Sequence, residues 1–306
     1  MAKEAFIYRD FKEGSFAIIR AANEIISEYR AMGFTLTLRQ LYYQFVSRDL
    51  LPNKQSEYKR LGSIINDARL AGYIDWSAIE DRTRNLRKPA AWNSPEEILR
   101  AVAQQYQEDL WADQDHYVEV WIEKDALVGV IEPVCTELRV PYFACRGYTS
   151  QSEQYNAGKR LARIAGQGRT PVILHLGDHD PSGMDMTRDN GDRLGMFARD
   201  EVEVRRLALN WDQIEQYNPP PNPAKETDSR AAGYIDRFGH SSWELDALDP
   251  NVISRLIRDE IEGLIDYERW NDARDEEETQ RLMLEGVALD WQGVCDFLKR
   301  DDEEDK

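Results

Sequence analysis

Three acids near the middle of the chain, Glu123, Asp178 and Asp180, are of a type and spacing that could hold a hard divalent cation. Glu123 ends the apolar run Val118-Glu119-Val120-Trp121-Ile122, and Asp178 and Asp180 follow Val172-Ile173-Leu174-His175-Leu176. Two acids at i, i+2 in extended backbone aim their side chains the same way, and Gly177 and Gly183 permit a tight turn around them. Carboxylate donors without paired cysteines or histidines favour Mg²⁺ or Mn²⁺ over zinc. Each acid taken singly is better read as a helix N-cap or a surface charge. Their joint placement at two strand ends, where open α/β sheets bind ligands, points to a site.

A second group lies upstream, in Arg39-Gln40-Leu41-Tyr42-Tyr43. Leu38, Leu41, Tyr42 and Phe45 follow the i, i+3, i+4, i+7 spacing of a buried helical stripe. Tyr43 is rotated off that stripe and shares a face with Arg39, four residues earlier. The spacing therefore predicts Tyr42 in the core and Tyr43 accessible. An arginine one turn away could hold a phosphate and stabilise a phenolate, whose unperturbed pKa is about 10. By pattern alone Tyr43 is a partly exposed packing aromatic. Of the remaining candidates, Lys124 could neutralise a phosphate or simply be solvated, His175 and His179 read as core residues or as supports behind the acids, and Asp185 reads as a helix cap ahead of a metal ligand. No Gly-x-x-x-x-Gly-Lys-Ser/Thr phosphate loop is present.

The elements that must position these residues fall into four segments. Residues 1–90 predict three helices, over 15–32, from Thr37 to before Pro52, and over 56–71, followed by a short hairpin or wing at 72–84. Leu61, Ile64, Ile65 and Ala68 form the apolar stripe of the third helix; Lys59, Arg60, Ser63, Asn66 and Arg69 fall mostly on its other face, as a DNA-contacting helix would arrange them. Three helices and a wing make a winged-helix domain, against which stands a generic helical domain with a charged face. Residues 91–115 read as a linker helix. Residues 116–270 alternate strand and helix, which implies a mainly parallel α/β sheet covered on both faces. Residues 271–306 form an acidic helix and tail.

The chain has 306 residues, 42% hydrophobic and 31% charged, enough for two domains of a globular protein. It has no apolar run of membrane-spanning length and no signal-peptide start, so export is not expected. Three cysteines, Cys135, Cys145 and Cys295, form no closely spaced pair; a cytoplasmic setting is the simplest reading. The net charge of -18 argues against nucleic acid when taken whole. The charge is unevenly placed. Residues 36–90 hold ten Lys and Arg against six Asp and Glu, and residues 259–306 hold six against eighteen. A mildly basic N-terminal module suits local phosphate contact better than a uniformly acidic chain does.

The two strand ends resemble the Toprim domain, in which a strand-end glutamate and an Asp-x-Asp pair form the metal site. The matching positions are Glu123, Asp178 and Asp180. The Asp-x-Asp-Pro-x-Gly form, Lys124 and Asp125 beside the glutamate, and Arg146-Gly147-Tyr148 after the next strand narrow the likeness to one branch. That branch holds the A subunit of topoisomerase VI and the related meiotic double-strand-break transesterase. There a winged-helix domain precedes the Toprim domain and carries a nucleophilic tyrosine in an Arg-x-x-Tyr/Phe-Tyr setting, which Arg39 to Tyr43 match. The likeness extends over about residues 15 to 265.

What this resemblance implies is Mg²⁺-dependent (or Mn²⁺-dependent) cleavage of double-stranded DNA. Tyr43 would form a 5′-phosphotyrosyl link with Arg39 and Glu123 as catalytic partners, and Lys59, Arg60, Ser63, Asn66, Arg69 and Lys124 would contact DNA. It also implies a homodimer, in which the tyrosine of one subunit works with the metal site of the other. Any ATP-driven strand passage would need a separate ATPase subunit. Two alternatives stand beside it: a hydrolytic Toprim nuclease, as in plasmid or phage defence systems, and a non-catalytic DNA-binding adaptor.

Overall fold

The computed structural model describes residues 3–79, 89–224, 227, 228 and 230–304. Helix α1 (Glu13–Ala31) buries Ile18, Ile19, Ala22, Ile25, Ile26 and Tyr29, and ends where Gly33 takes a φ of +85°. Helix α2 (Leu38–Ser47) starts at a capping box. The Gln40 amide donates to the Thr37 hydroxyl at 3.3 Å, and the Thr37 amide donates to the Gln40 side chain at 2.8 Å. Helix α3 (Gln55–Leu70) buries Leu61, Ile65 and Ala68 against the same core.

After α3 the expected hairpin does not form over residues 72–79. Asp75 accepts the Ser77 amide at 2.9 Å and starts a single 3₁₀ turn at Trp76–Ala78, while Arg30 pairs with the same carboxylate at 2.9 Å. A charged turn-former anchored from behind favours that local turn over a ladder. The chain does add one isolated parallel bridge, Leu36 to Ile79. The rest of the expected wing, residues 80–84, lies outside the described residues.

Helix α4 spans Pro95–Gln105, and an alternating α/β segment follows. In chain order it comprises β1 (His116–Ile122), α5 (Val128–Glu137), β2 (Tyr142–Ala144), α6 (Gln151–Gly166), β3 (Thr170–Leu176), α7 (Pro181–Ala198) and β4 (Glu203–Ala208). The sheet order is β2-β1-β3-β4, with β1–β2 and β3–β4 in parallel register. Residues 118–122 and 171–176 are buried without alternation, as strands covered on both faces must be. Helices α6 and α7 approach closely at Gly158, where an added Cβ would lie 2.5 Å from the Phe197 Cβ. Then come α8 (Trp211–Tyr217), the small antiparallel pair β5 (Asn222–Pro223) and β6 (Ser241–Ser242) with α9 (Ala231–Phe238) between them, a 3₁₀ turn at Leu245–Ala247, and α10 (Pro250–Glu262).

By its contacts the chain divides into two units, Met1–Arg84 with Val118–Gly263, and Asn85–Tyr117 with Leu264–Lys306. The second is helical. In it α4, capped by Ser94, packs along α11 (Tyr267–Leu289), with Trp111 edge-on to Trp270 at 5.7 Å between ring centroids. The acidic helix expected within residues 271–306 is interrupted at Asp290, whose carboxylate accepts the Gly293 amide at 3.2 Å and opens α12 (Trp291–Glu304). Among the described residues no helix is long and apolar enough to cross a membrane.

Candidate functional site

Within the first unit, β1 and β3 are neighbours, so Glu123 and the Asp178–Asp180 loop emerge side by side at one sheet edge. Glu123 Oε2 accepts the Asp178 amide at 2.9 Å. Asp178 Oδ1 accepts the Leu245 amide at 2.8 Å and faces Lys124 Nζ at 2.9 Å. Asp180 caps α7, accepting the Gly183 amide at 2.6 Å; that is the capping role expected of Asp185. Asp185 instead lies inside α7, accepts the Tyr148 hydroxyl at 2.7 Å and pairs with Arg188 and Arg230. Gly183 closes the loop so tightly that an added Cβ would lie 2.2 Å from the Asp178 carbonyl oxygen.

A half-buried arginine that sequence reasoning missed holds this loop. Arg206, on β4, donates through Nη2 to the carbonyls of Gly177, Asp178 and Leu209, and through Nη1 to the Gly183 carbonyl and the Thr187 hydroxyl. Burial lowers its pKa to about 10. In the sequence it reads as one of two adjacent arginines on an ordinary strand. Nothing in a strand's period marks the one that turns inward beneath a neighbouring loop.

Charge around the acids bears on cation binding. Burial raises the Glu123 carboxyl, and the charge of Asp180 adds to the rise. Burial also raises Asp178, with Glu123 and Asp246 adding to it and Lys124 opposing. Carboxylates that resist ionisation in this way would be relieved by a divalent cation, and the all-oxygen donor set suits Mg²⁺ or Mn²⁺. By donor chemistry, then, the residues fit the ion. They are not a ready-made cage: among the described residues no group of three His, Cys, Asp or Glu side chains is arranged to hold a metal ion. Each acid is engaged with an internal partner that the ion would have to displace.

The second half of the expected site reaches the same cavity. Arg39, Tyr42, Tyr43, Lys54, Tyr58, Asp178, Asp180, Asn222, Trp243 and Glu244 line a pocket of about 350 Å³. Tyr42 is in the core as expected. Its hydroxyl accepts the Lys54 amide at 2.8 Å and donates to the Lys54 carbonyl at 3.0 Å, which fixes the α2–α3 connection. Tyr43 does not have the accessibility its spacing suggested: only 4% of its surface is exposed, the same as Tyr42. The helical period located the face of α2 that meets α1 and α3, but the opposite face is covered too, by the turn at residues 245–247. Tyr43 and Glu244 line the same cavity, and burial together with the charges of Asp246 and Glu244 pushes the Tyr43 pKa well above the ordinary phenol value.

Glu244 and Asp246 were not anticipated, although they repeat the i, i+2 acid spacing of Asp178 and Asp180. They follow a two-residue strand in a stretch without periodicity. Arg39 pairs with Glu244 and, through Nε, with Asp246 at 2.9 Å. Lys124 Nζ reaches Glu244 at 2.8 Å and Asp246 at 2.9 Å. Two cations thus share three carboxylates, and the Lys124 side chain, 17% exposed, faces inward. Of the other expected DNA contacts, Lys59, Arg60, Ser63 and Asn66 are exposed on α3, with Arg60 paired to Glu57 at 2.8 Å. Arg69 is turned away. It donates to the Trp76 carbonyl at 2.8 Å and stacks 4.7 Å from the Trp76 ring centroid.

His175 and His179 are core residues. His175 contacts the Thr187 hydroxyl at 2.8 Å, and His179 contacts the Tyr234 hydroxyl at 2.8 Å within a ring of aromatics. Burial lowers both, to about 3 and about 4. No family model and no curated protein matches the chain.

Proposed function

We propose that the protein cleaves double-stranded DNA by tyrosine transesterification supported by Mg²⁺ or Mn²⁺, with its helical N-terminal region acting as a winged-helix domain and its parallel sheet as a Toprim domain. One observation carries the reading: Arg39 and Tyr43 from α2 line the same cavity as Asp178 and Asp180 from the sheet edge. Tyr43 supplies the nucleophile and Arg39 an oriented guanidinium for the phosphate, its Cζ 5.8 Å from the Tyr43 ring centroid. Glu123, Asp178 and Asp180 would hold the ion, which when bound neutralises charge on phosphate oxygens. Exposed Lys59 and Arg60 on α3 add backbone contacts. The family likeness adds a homodimer and leaves strand passage to a separate ATPase subunit. It has the tyrosine of one subunit work with the acids of the other, whereas this cavity unites Tyr43 with Asp178 and Asp180 of one chain, and there the reading departs from the likeness.

A specific observation favours the hydrolytic alternative. Tyr43 is buried, and burial with the charges of Asp246 and Glu244 keeps its hydroxyl protonated, a state in which water would be the readier nucleophile. Incubation with supercoiled DNA and Mg²⁺, stopped with detergent, separates the two. Transesterification predicts covalent protein–DNA adducts that vanish with Tyr43→Phe and with Glu123→Gln. Cleavage that survives Tyr43→Phe but is lost with Glu123→Gln would establish hydrolysis instead.

A further inference from the structure

We propose that the exposed face of α11 is a docking surface for a basic amphipathic helix of a partner protein, a role separate from the cleavage chemistry. One side of α11 is turned inward. Trp270 meets Trp111 edge-on, the Glu277 carboxylate accepts the Glu108 amide at 2.8 Å, and Ala288 is buried. At about 3.6 residues per turn these three positions lie on one side of the helix. The opposite side is free to meet a partner.

That opposite side is polarised along its length. Over the first half of the helix it presents Asp272, Asp275, Glu276 and Glu278, all exposed. Over the last turns it presents Leu282, Met283, Val287 and Leu289, with Met283 60% and Leu289 77% exposed. Glu278 pairs with Arg281, yet α11 as a whole holds seven acids against three arginines. From Asp272 to Leu289 the strip runs from an anionic end to an apolar end over about 26 Å. Large apolar side chains gathered in this way, rather than scattered singly, mark a contact surface.

Charge selects the occupant. Residues 259–306 hold six Lys and Arg against eighteen Asp and Glu, which repels nucleic acid and anionic lipid. A second copy of the chain is also a poor fit. Paired along the whole strip, the acids of one copy would face acids or apolar side chains of the other. Paired through the apolar ends alone, two copies would share about 11 Å of helix, short of the roughly 800 Å² per partner that a stable interface buries. A helix with Lys and Arg towards one end and aliphatic anchors at i, i+3, i+4 and i+7 towards the other matches both halves.

The test is fluorescence anisotropy with the full-length protein and two labelled synthetic peptides of about 18 residues, long enough to span the strip. One is an amphipathic helix with Lys towards one end and a Leu face towards the other; the second has the same composition, scrambled so that the face is lost. Two double variants, Met283→Ser with Leu289→Ser and Asp275→Asn with Glu276→Gln, change only exposed positions. An unchanged Tm separates lost contacts from lost folding. The expected result is saturable binding of the amphipathic helix, about tenfold or more tighter than the scrambled peptide, with about tenfold lost in the apolar variant. The acidic variant should also bind more weakly at low salt, and its affinity should vary less with salt than that of wild type. No saturable binding, equal affinity for the two peptides, or affinity unchanged in the apolar variant overturns the proposal. So does sedimentation of wild type as a dimer that Met283→Ser with Leu289→Ser converts to monomer, since the face would then belong to a second copy.

Discussion

At the scale of single residues, the site is held by close packing and by buried groups of unusual ionisation. Gly183 is the sharpest case, since the Asp178 carbonyl stands where a side chain would begin. Gly183→Ala should cost at least about 2 kcal/mol, the order of an overpacked core position, visible as a lower midpoint in urea denaturation. His175 gives a pH signature. It is buried neutral, its pKa lowered to about 3 by burial and the nearby Arg206 charge. In the unfolded chain it titrates near 6.5, so the unfolded state binds the extra proton below that value. Its contribution is present above pH 6.5 and is lost as pH falls towards 3, amounting to roughly 2–3 kcal/mol by pH 4.5. Asp178, raised by burial, acts with the opposite sign. The difference between wild type and His175→Gln therefore isolates the effect: stability measured from pH 7 to 4.5 should fall more steeply in wild type. Equal slopes would contradict the assignment.

At the scale of elements, the period of the sequence was a good guide wherever an element has one. The helices of the N-terminal region and the strands ending at Ile122 and Leu176 follow from apolar spacing and from uninterrupted apolar runs, with ends displaced by a residue or two except for α2, which stops at Ser47 rather than just before Pro52. Their ends brought Glu123 and Asp178 to adjacent strands because parallel neighbours expose the same edge. The segment from 210 to 247 was barely legible. Its pieces are two to eight residues long, and their positions are set by partners distant in sequence, such as the Asp178 carboxylate that holds the Leu245 amide at 2.8 Å. Glu244 and Asp246 were missed for that reason, and so was the cover over Tyr43. Helix α3 carries its own prediction. Lys59 and Arg60 are exposed on the face opposite Leu61 and Ile65. If each meets one phosphate, Lys59→Gln combined with Arg60→Gln should lower DNA affinity for all sequences alike. It should also reduce the slope of log K against log salt by about 2. An unchanged slope would remove α3 from the DNA interface.

At the scale of the whole molecule, uneven charge is the main constraint. A chain of net charge -18 should bind DNA only where cations are concentrated. At the cavity, Arg39 is offset by Glu244 and Asp246 until a phosphate competes for it. Cleavage should therefore weaken steeply with salt, more steeply than the four-charge surplus of residues 36–90 alone suggests. The residues that line the cavity belong to the first unit. The central claim is that Tyr43 becomes joined to DNA, and peptide mapping tests it most directly. Detergent-trapped complexes would be digested with nuclease and trypsin, and the peptide from Gln40 to Arg48, which contains both tyrosines, fragmented by mass spectrometry. The account predicts a nucleotide on Tyr43 and none on Tyr42. Nicked or linear DNA with this peptide unmodified, or a nucleotide on Tyr42, would contradict it.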